Sequence, residues 1–283
     1  MEHSFVAIVL ADFVGQFGHD HYHESMEALR VFTRHGSAEF AIREFLRRDL
    51  GRTLRVMEGW AQDADEHVRR LASEGCRPRL PWSFKLDALI ADPGPVAPIL
   101  DSLRADPSLY VRKSVANHLN DISKDNPDWV FDRIARWNLN EARTAWIARH
   151  ALRTLIKRGD PRALSVIGAD RRADVRKVRL TVSPGALRLG GRLALKLEFS
   201  ASARSNQKLV VDYAIHYVKA SGETSRKVFK WKTGKVAAGD SVVWQREQQF
   251  EDFTTRKHYP GVHRVEVMFN GEVKAETRFE LAR

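Results

Sequence analysis

Val111-Arg-Lys-Ser-Val-Ala-Asn-His-Leu-Asn-Asp-Ile122 and Leu193-Ala-Leu-Lys-Leu-Glu-Phe199 together decide the fold. Stepping the first stretch 100° per residue puts Val111, Val115, Leu119 and Ile122 in one arc, with Lys113, Ser114, Asn117 and Asp121 on the opposite side. That is an amphipathic helix. In the second stretch the apolar residues alternate strictly with Ala194, Lys196 and Glu198, the period of a strand with one buried face. The helical period holds from Ser25 to about Gly168, punctuated at Gly36, Gly51, Gly75, Pro78, Pro81, Pro93–Pro98, Pro107 and Pro127. Beyond Ala169–Asp174 the period is two, as in Val211, Tyr213, Ile215 and Tyr217 and again in Val265, Val267 and Phe269. Seven strand-like runs between Gly, Ser, Asn or Pro turns predict an antiparallel immunoglobulin-like β-sandwich, with a small barrel as the alternative. On Arg226–Lys232, Phe229 and Trp231 share one parity, and Arg226, Lys230 and Lys232 share the other, which predicts a basic outer face.

The helical half repeats. Ser37-Ala-Glu-Phe-Ala-Ile-Arg43, Asp63-Ala-Asp-Glu-His-Val-Arg69, Asp106-Pro-Ser-Leu-Tyr-Val-Arg112 and Glu141-Ala-Arg-Thr-Ala-Trp-Ile-Ala-Arg149 each run from a polar opener through an aliphatic residue to an arginine. Val68 to Val111 is 43 residues and Val111 to Ile147 is 36, close to the period of two-helix HEAT-type repeats. The expected architecture is therefore multidomain, α then β: a HEAT-like α-helical repeat solenoid over residues 1–169, then an immunoglobulin-like sandwich over 175–283.

Composition sets the class of partner. The 283 residues fit about two domains, and 43% hydrophobic with 29% charged residues is ordinary globular composition. Phe5–Leu10 is too short an apolar run to span a bilayer and lacks a basic flank, so the chain is expected to be untargeted, without a membrane partner and cytoplasmic. A single cysteine, Cys76, rules out an internal disulfide and a cysteine-based metal site. Of the net charge of +11, residues 174–283 supply +9, from 21 Lys and Arg against 12 Asp and Glu. A basic module beside a nearly neutral one suits a polyanion, with nucleic acid the leading candidate.

The helix faces narrow the chemistry. With Ile147 as origin, Trp146, Arg149, His150, Arg153 and Lys157 lie on the side opposite the apolar stripe, and like charges stacked this way destabilise a helix unless an anion offsets them. Trp146 can equally pack between repeats, and a Lys/Asn/Asp face such as that of Lys113 and Asn117 is ordinarily a solvated surface. His19, His21 and His23 lack the spacing of a recognised metal site, and no metal or cofactor is expected. Nucleotide-hydrolysis, dinucleotide and serine-esterase motifs do not occur.

Ser25-Met-Glu-Ala-Leu-Arg30, Ser37–Arg43, Ala72-Ser-Glu-Gly-Cys-Arg-Pro-Arg-Leu-Pro-Trp82, Val111–Asp125 and Trp146–Asp160 resemble the AlkC branch of the HEAT-like-repeat DNA alkylation repair glycosylases, relatives of AlkD. Phe253–His263, followed by Asn270-Gly271, resembles the immunoglobulin-like domain that some AlkC members carry. The resemblance implies excision of cationic N3-alkylated bases such as 3-methyladenine, and 3-methylcytosine, from double-stranded DNA by a monomer with no obligate protein partner, associated with the nucleoid when acting. It also implies helices ahead of Phe5–Phe17, so that this sequence begins inside the fold. By motif, Glu39, Glu74 and Asp121 are the carboxylates near the lesion, with Asp121 stabilising the sugar cation and orienting water. Trp82, with Trp146, lies against the nucleotide. Arg112, Lys113, Asn117, Arg149, Arg153 and Lys157 contact DNA in the helical half, with Arg256, Lys257 and His258 in the sandwich; Arg149 and Arg153 are not ranked.

Each assignment has a structural alternative. Glu39 can pair with Arg43 four residues on, Glu74 can cap a helix end, and Trp82 can plug a loop. Two other functions remain open: a non-catalytic damaged-DNA-binding protein, and a HEAT-repeat protein-interaction scaffold. Only the scaffold predicts DNA contact insensitive to salt.

Overall fold

The computed structural model describes residues 6–169, 172–202, 206–254 and 257–282. The described chain forms two compact units, Met1–Thr154 and Leu155–Arg283. Helices α1 (Val6–Phe17), α2 (Tyr22–Phe32), α3 (Glu39–Arg48), α4 (Leu50–Trp60), α5 (Glu66–Glu74), α6 (Asp87–Ala91), α7 (Ala97–Ser102), α8 (Leu109–Ile122), α9 (Pro127–Ala135) and α10 (Ala142–Ala151) build the first unit. Helix α11 (Arg153–Arg158) spans the boundary, and α12 (Pro161–Val166) belongs to the second unit.

Helix α8 is the centre of the first unit, packed between α5 and α10. Val111, Val115, Leu119 and Ile122 are buried as their spacing predicts. The opposite side is not a solvated face: Ser114, His118, Asn120 and Asp121 are buried as well, Asn117 is half-buried, and Lys113 is exposed. Aspartate caps start several helices, Asp49 accepting from Arg52 N–H at 3.0 Å and Asp65 from His67 N–H at 2.8 Å.

The arginines that close the repeated motif have a structural task. Arg69 Nη1 donates to the carbonyls of Asp63 and Ala64 at 2.9 and 2.8 Å, and Arg112 Nη1 donates to those of Asp106 and Pro107 at 2.7 and 2.8 Å. Each arginine thus reaches back to the same two positions of the loop ahead of its own helix, satisfying carbonyls that the turn leaves unpaired. Arg112, expected to contact DNA, is half-buried and holds the 106–107 turn through Nη1.

The second unit carries strands β1 (Val175–Ser183), β2 (Ala186–Arg188), β3 (Arg192–Ala201), β4 (Gln207–Val218), β5 (Thr224–Val236), β6 (Ser241–Gln249), β7 (Gly261–Phe269) and β8 (Glu272–Ala282). They form a three-stranded sheet, β1-β3-β6, and a five-stranded sheet, β2-β8-β7-β4-β5. All pairs are antiparallel except the short edge pair β2–β8. The alternating residues meet as expected, with Leu193, Leu195, Leu197 and Phe199 from one sheet against Tyr213, Ile215, Val265, Val267 and Phe269 from the other. The expected basic parity of β5 is corrected at a bulge. The register passes from Val211↔Lys232 to Asp212↔Lys230, leaving Trp231 as the extra residue. Lys232 therefore leaves the face of Lys230, and its ammonium lies 5.0 Å from the Trp244 ring.

Two glycines join helix to sheet inside this unit. Gly159, after α11, and Gly271, in the β7–β8 turn, have φ of +75° and +85°, and a Cβ on Gly271 would fall 2.2 Å from Gly159 Cα. Neither position has room for a side chain.

Candidate active site

Helices α3, α5 and α8 bring together the three acidic residues that motif comparison selected. Glu39 opens α3 and accepts from Arg70 of α5 at 2.9 Å. Glu74 ends α5 and accepts from Arg77 at 2.6 Å and from the Ser114 hydroxyl at 2.7 Å, with Arg70 at 3.6 Å. Asp121, near the end of α8, takes two N–H groups of Arg77 on Oδ2, both at 2.8 Å, and the Lys124 ammonium on Oδ1 at 2.9 Å. The result is an alternating chain, Glu39–Arg70–Glu74–Arg77–Asp121–Lys124, buried at Glu74, Arg77 and Asp121, partly buried at Glu39 and Arg70, and exposed at Lys124.

This geometry excludes the local structural alternative named for Glu39 and the one named for Glu74. Glu39 pairs with Arg70, 31 residues away in sequence, and not with Arg43. The Glu74 side chain turns to Arg77 and Ser114 rather than capping α5. Burial alone would lower the Arg70 pKa, but the neighbouring Glu39 and Glu74 carboxylates outweigh it and hold the guanidinium above its usual value. Above Arg70 sits Tyr110, its ring centroid 5.3 Å from the guanidinium carbon, and burial raises its phenol pKa.

Trp82 lies on the loop between α5 and α6, the loop that also carries Arg77. It plugs nothing: the side chain is 97% exposed, and its backbone has φ +64°. A non-glycine residue in that region is strained by about 1 kcal/mol or more, and an exposed ring gains no packing to offset it. The loop whose Arg77 meets Glu74 and Asp121 therefore also presents an exposed aromatic ring.

The cationic residues divide. Lys113 and Arg149 are exposed. Arg153 donates to Asn117 Oδ1 at 2.9 Å and to the His150 carbonyl at 2.8 Å, which engages Asn117 within the protein, and burial lowers the Arg153 pKa. The single helix expected over Trp146–Lys157 is broken at Leu152 (φ −82°, ψ 4°), so Arg149 and Arg153 do not share one continuous face. Trp146 stacks on His150 with ring centroids 4.8 Å apart and an interplanar angle of 13°. Lys157 falls in the second unit, exposed, where its charge acts on Asp212.

In the sandwich, Lys257 is exposed, but His258 is 2% exposed among Tyr217 and Phe250, with its N–H bonded to Asp252 at 2.7 Å. The expectation that His258 contacts DNA is corrected: it closes one end of the core. Arg256 lies outside the described residues. Among the described residues no three His, Cys, Asp or Glu side chains gather as metal ligands. His19 packs on Phe45, His21 precedes α2 and His23 meets Arg52. No described helix is long and apolar enough to cross a membrane.

Arg70 and Arg77 were not among the residues the sequence singled out, although they link all three acids. Their one local signal is spacing: Arg70, Glu74 and Arg77 lie at i, i+4 and i+7, one helical face.

Residues 3–155 match the family model described as DNA alkylation repair enzyme. The chain belongs to that family. Residues 176–283 match a second model, the C-terminal immunoglobulin-like domain of YhaZ. The YhaZ protein of Bacillus subtilis is 43% identical over 274 residues, covering 97% of this chain and 76% of its own. The Pseudomonas fluorescens alkylpurine DNA glycosylase AlkC, solved bound to DNA containing an abasic-site analogue, is 55% identical and superposes with a TM-score of 0.95 over 99% of this chain and 78% of its own. The fold is thus AlkC-like, with helical repeats followed by an immunoglobulin-like domain.

Proposed function

We propose that this member of the DNA alkylation repair family is a DNA glycosylase that releases cationic N3-alkylated bases, 3-methyladenine and 3-methylcytosine, from double-stranded DNA. The observation that carries the reading is the convergence of Glu39, Glu74 and Asp121 through Arg70 and Arg77, beside the loop that exposes Trp82. The likeness to the AlkC glycosylase supports the reaction class.

The chemistry suits these groups. In an N3-alkylated nucleotide the base already carries positive charge, so when the N-glycosidic bond breaks its electron pair passes to the base and neutralises it. The positive charge moves to the sugar, which water then attacks at C1′, losing a proton. The barrier is lowered by negative charge held close to the developing sugar cation, while an aromatic face against the cationic ring favours binding of the alkylated base. Asp121 is assigned the sugar cation and the water; Arg77, bonded twice to its Oδ2, fixes the carboxylate orientation. Lys113 and Arg149, both exposed, are assigned phosphate contacts, and the net charge of +9 on residues 174–283 adds affinity for the duplex.

The test is incubation of the purified protein with methylated duplex DNA and chromatographic identification of released bases, beside an Asp121→Asn control. Release of 3-methyladenine or 3-methylcytosine by the wild type and not by the control supports the reading. Salt-sensitive DNA binding without release would make the protein a non-catalytic reader, and binding indifferent to salt would favour a protein scaffold.

A further inference from the structure

Arg43 occupies the arginine position of the repeated motif but does not do what Arg69 and Arg112 do. It is fully buried, and it reaches forward 32 to 41 residues instead of back to its own loop. Its Nη1 donates to the carbonyls of Gly75 at 2.9 Å and Arg77 at 2.7 Å, and its Nη2 donates to the carbonyl of Phe84. One guanidinium therefore ties the first residues of the 75–86 loop to its last ones. The Phe84 ring lies 5.2 Å from the Arg43 guanidinium carbon and 4.7 Å from that of Arg47.

We infer that Arg43 is a positioning residue for the proposed glycosylase site, holding the loop that presents Arg77 to Asp121 and Trp82 to the nucleotide. The inference rests on the glycosylase reading. Three physical points support it. The Gly75, Arg77 and Phe84 carbonyls converge inside the protein, and without a donor between them they would be buried unpaired. Trp82 is strained and makes no packing of its own, so its conformation must be imposed by the rest of the loop. The Leu86 N–H donates to the Pro78 carbonyl at 3.1 Å and Arg79 pairs with Asp125 at 2.7 Å in the middle of the loop, while Arg43 ties its beginning to its end. Gly75 lets the loop approach α3 closely, since a Cβ there would lie 2.5 Å from Ile42 Cγ2, on the residue next to Arg43. Burial lowers the Arg43 pKa to about 10, which leaves the guanidinium charged at neutral pH. A planar ion with five donors can bridge two separated strands of backbone; a lysine ammonium, a single point, cannot reach both.

The test uses the full chain labelled with 5-fluorotryptophan, with the Trp82 ¹⁹F resonance assigned by Trp82→Phe. In Arg43→Lys the Trp82 resonance is expected to shift or broaden while those of Trp60, Trp129, Trp137, Trp231 and Trp244 keep their positions. Single-turnover base release should fall roughly ten- to hundredfold, with the DNA Kd changed by less than about threefold, the signature of misplacement and not of lost binding. Arg47→Met, on the outer side of Phe84, should leave the rate unchanged. A folded Arg43→Lys protein with a wild-type Trp82 signal, or with an unchanged rate, overturns the inference. If Arg43→Lys collapses all the resonances together, Phe84→Leu decides, because it keeps the Arg43 hydrogen bonds and removes only the ring at the far end of the loop. The Trp82 signal and the rate should then both be retained; a broadened Trp82 signal with a fallen rate would assign the loop to the Phe84 ring and overturn the inference. If the wild type releases no base, the glycosylase reading fails while the fluorine signals still report whether Arg43 holds the loop.

Discussion

Replacing Arg77 by methionine removes the one cation shared by two buried acids. The Arg77, Glu74 and Asp121 side chains are 9%, 8% and 4% exposed, so the acids would be left charged and poorly hydrated. Removing one partner of a buried pair typically costs about 3–5 kcal/mol. Here the loss should be smaller, because Glu74 keeps the Ser114 hydroxyl and Arg70, and Asp121 keeps the half-exposed Lys124. We expect about 2–3 kcal/mol, which at a urea m-value of about 2 kcal/mol/M moves the midpoint down by about 1 M or more. Fluorescence is a suitable probe, since Trp60, Trp82, Trp129, Trp137 and Trp146 all lie within residues 1–154 and so report mainly on the helical unit. The diagnostic experiment is a cycle with Asp121→Asn. If Asp121 is the acid that Arg77 neutralises, the double variant should be about 1–2 kcal/mol more stable than the sum of the single effects predicts. Additivity within about 0.5 kcal/mol would refute the pairing and, with it, the orienting role assigned to Arg77.

Trp82→Gly should leave stability unchanged or raise it by about 1 kcal/mol, because it relieves a positive φ and loses no packing, while base release falls steeply; thermal melting and the release assay check the two halves separately. Arg149→Ala should reduce the slope of log Kobs for DNA against log salt by about one unit, whereas Arg112→Ala should leave that slope unchanged and cost about 1 kcal/mol of stability through its lost turn carbonyls. Burial raises the Asp212 carboxyl to about 6, partly opposed by Lys230 and Lys157, against about 3.9 in the unfolded chain. Between these values the folded chain holds a proton that the unfolded chain has released, so stability should fall by about 2–3 kcal/mol as pH rises from about 4 to about 6. Calorimetry of Asp212→Asn should show that component of the pH dependence gone.

The change from helices to strands was legible because it is written in local periodicity. Val111, Val115, Leu119 and Ile122 on α8 and Leu193, Leu195, Leu197 and Phe199 on β3 are buried where their spacing puts them. Spacing fails where the backbone departs from its regular period. The break at Leu152 separates Arg149 from Arg153, and the bulge at Trp231 takes Lys232 off the face of Lys230. Neither departure is marked by a glycine or proline at the site, so nothing local announces it. His258 shows a different limit: in a basic turn sequence it reads as a surface residue, yet the fold carries it between Tyr217 and Phe250.

The repeated arginines show why a motif does not carry a role with it. Arg69 and Arg112 satisfy the carbonyls of their own preceding loops, a task set by helix-start geometry that any repeat of this kind faces. Arg43 stands at the same place in the first of these repeats, but its guanidinium serves a loop more than thirty residues ahead. The difference follows from what lies next in the chain. Gly75 allows that loop to sit directly on α3, and three of its carbonyls then converge on Arg43. The same long-range logic governs the acids, since Arg70 meets Glu39 across 31 residues and Arg77 meets Asp121 across 44. Wheel and motif can nominate Glu39, Glu74 and Asp121, but only the stacking of α3, α5 and α8 can supply the cations between them. If the site works as proposed, its properties should therefore respond as much to Arg43 and Arg77 as to the acids themselves, and variants of these two arginines are the sharper probes of whether the cluster is a catalytic site or only a buried ion network.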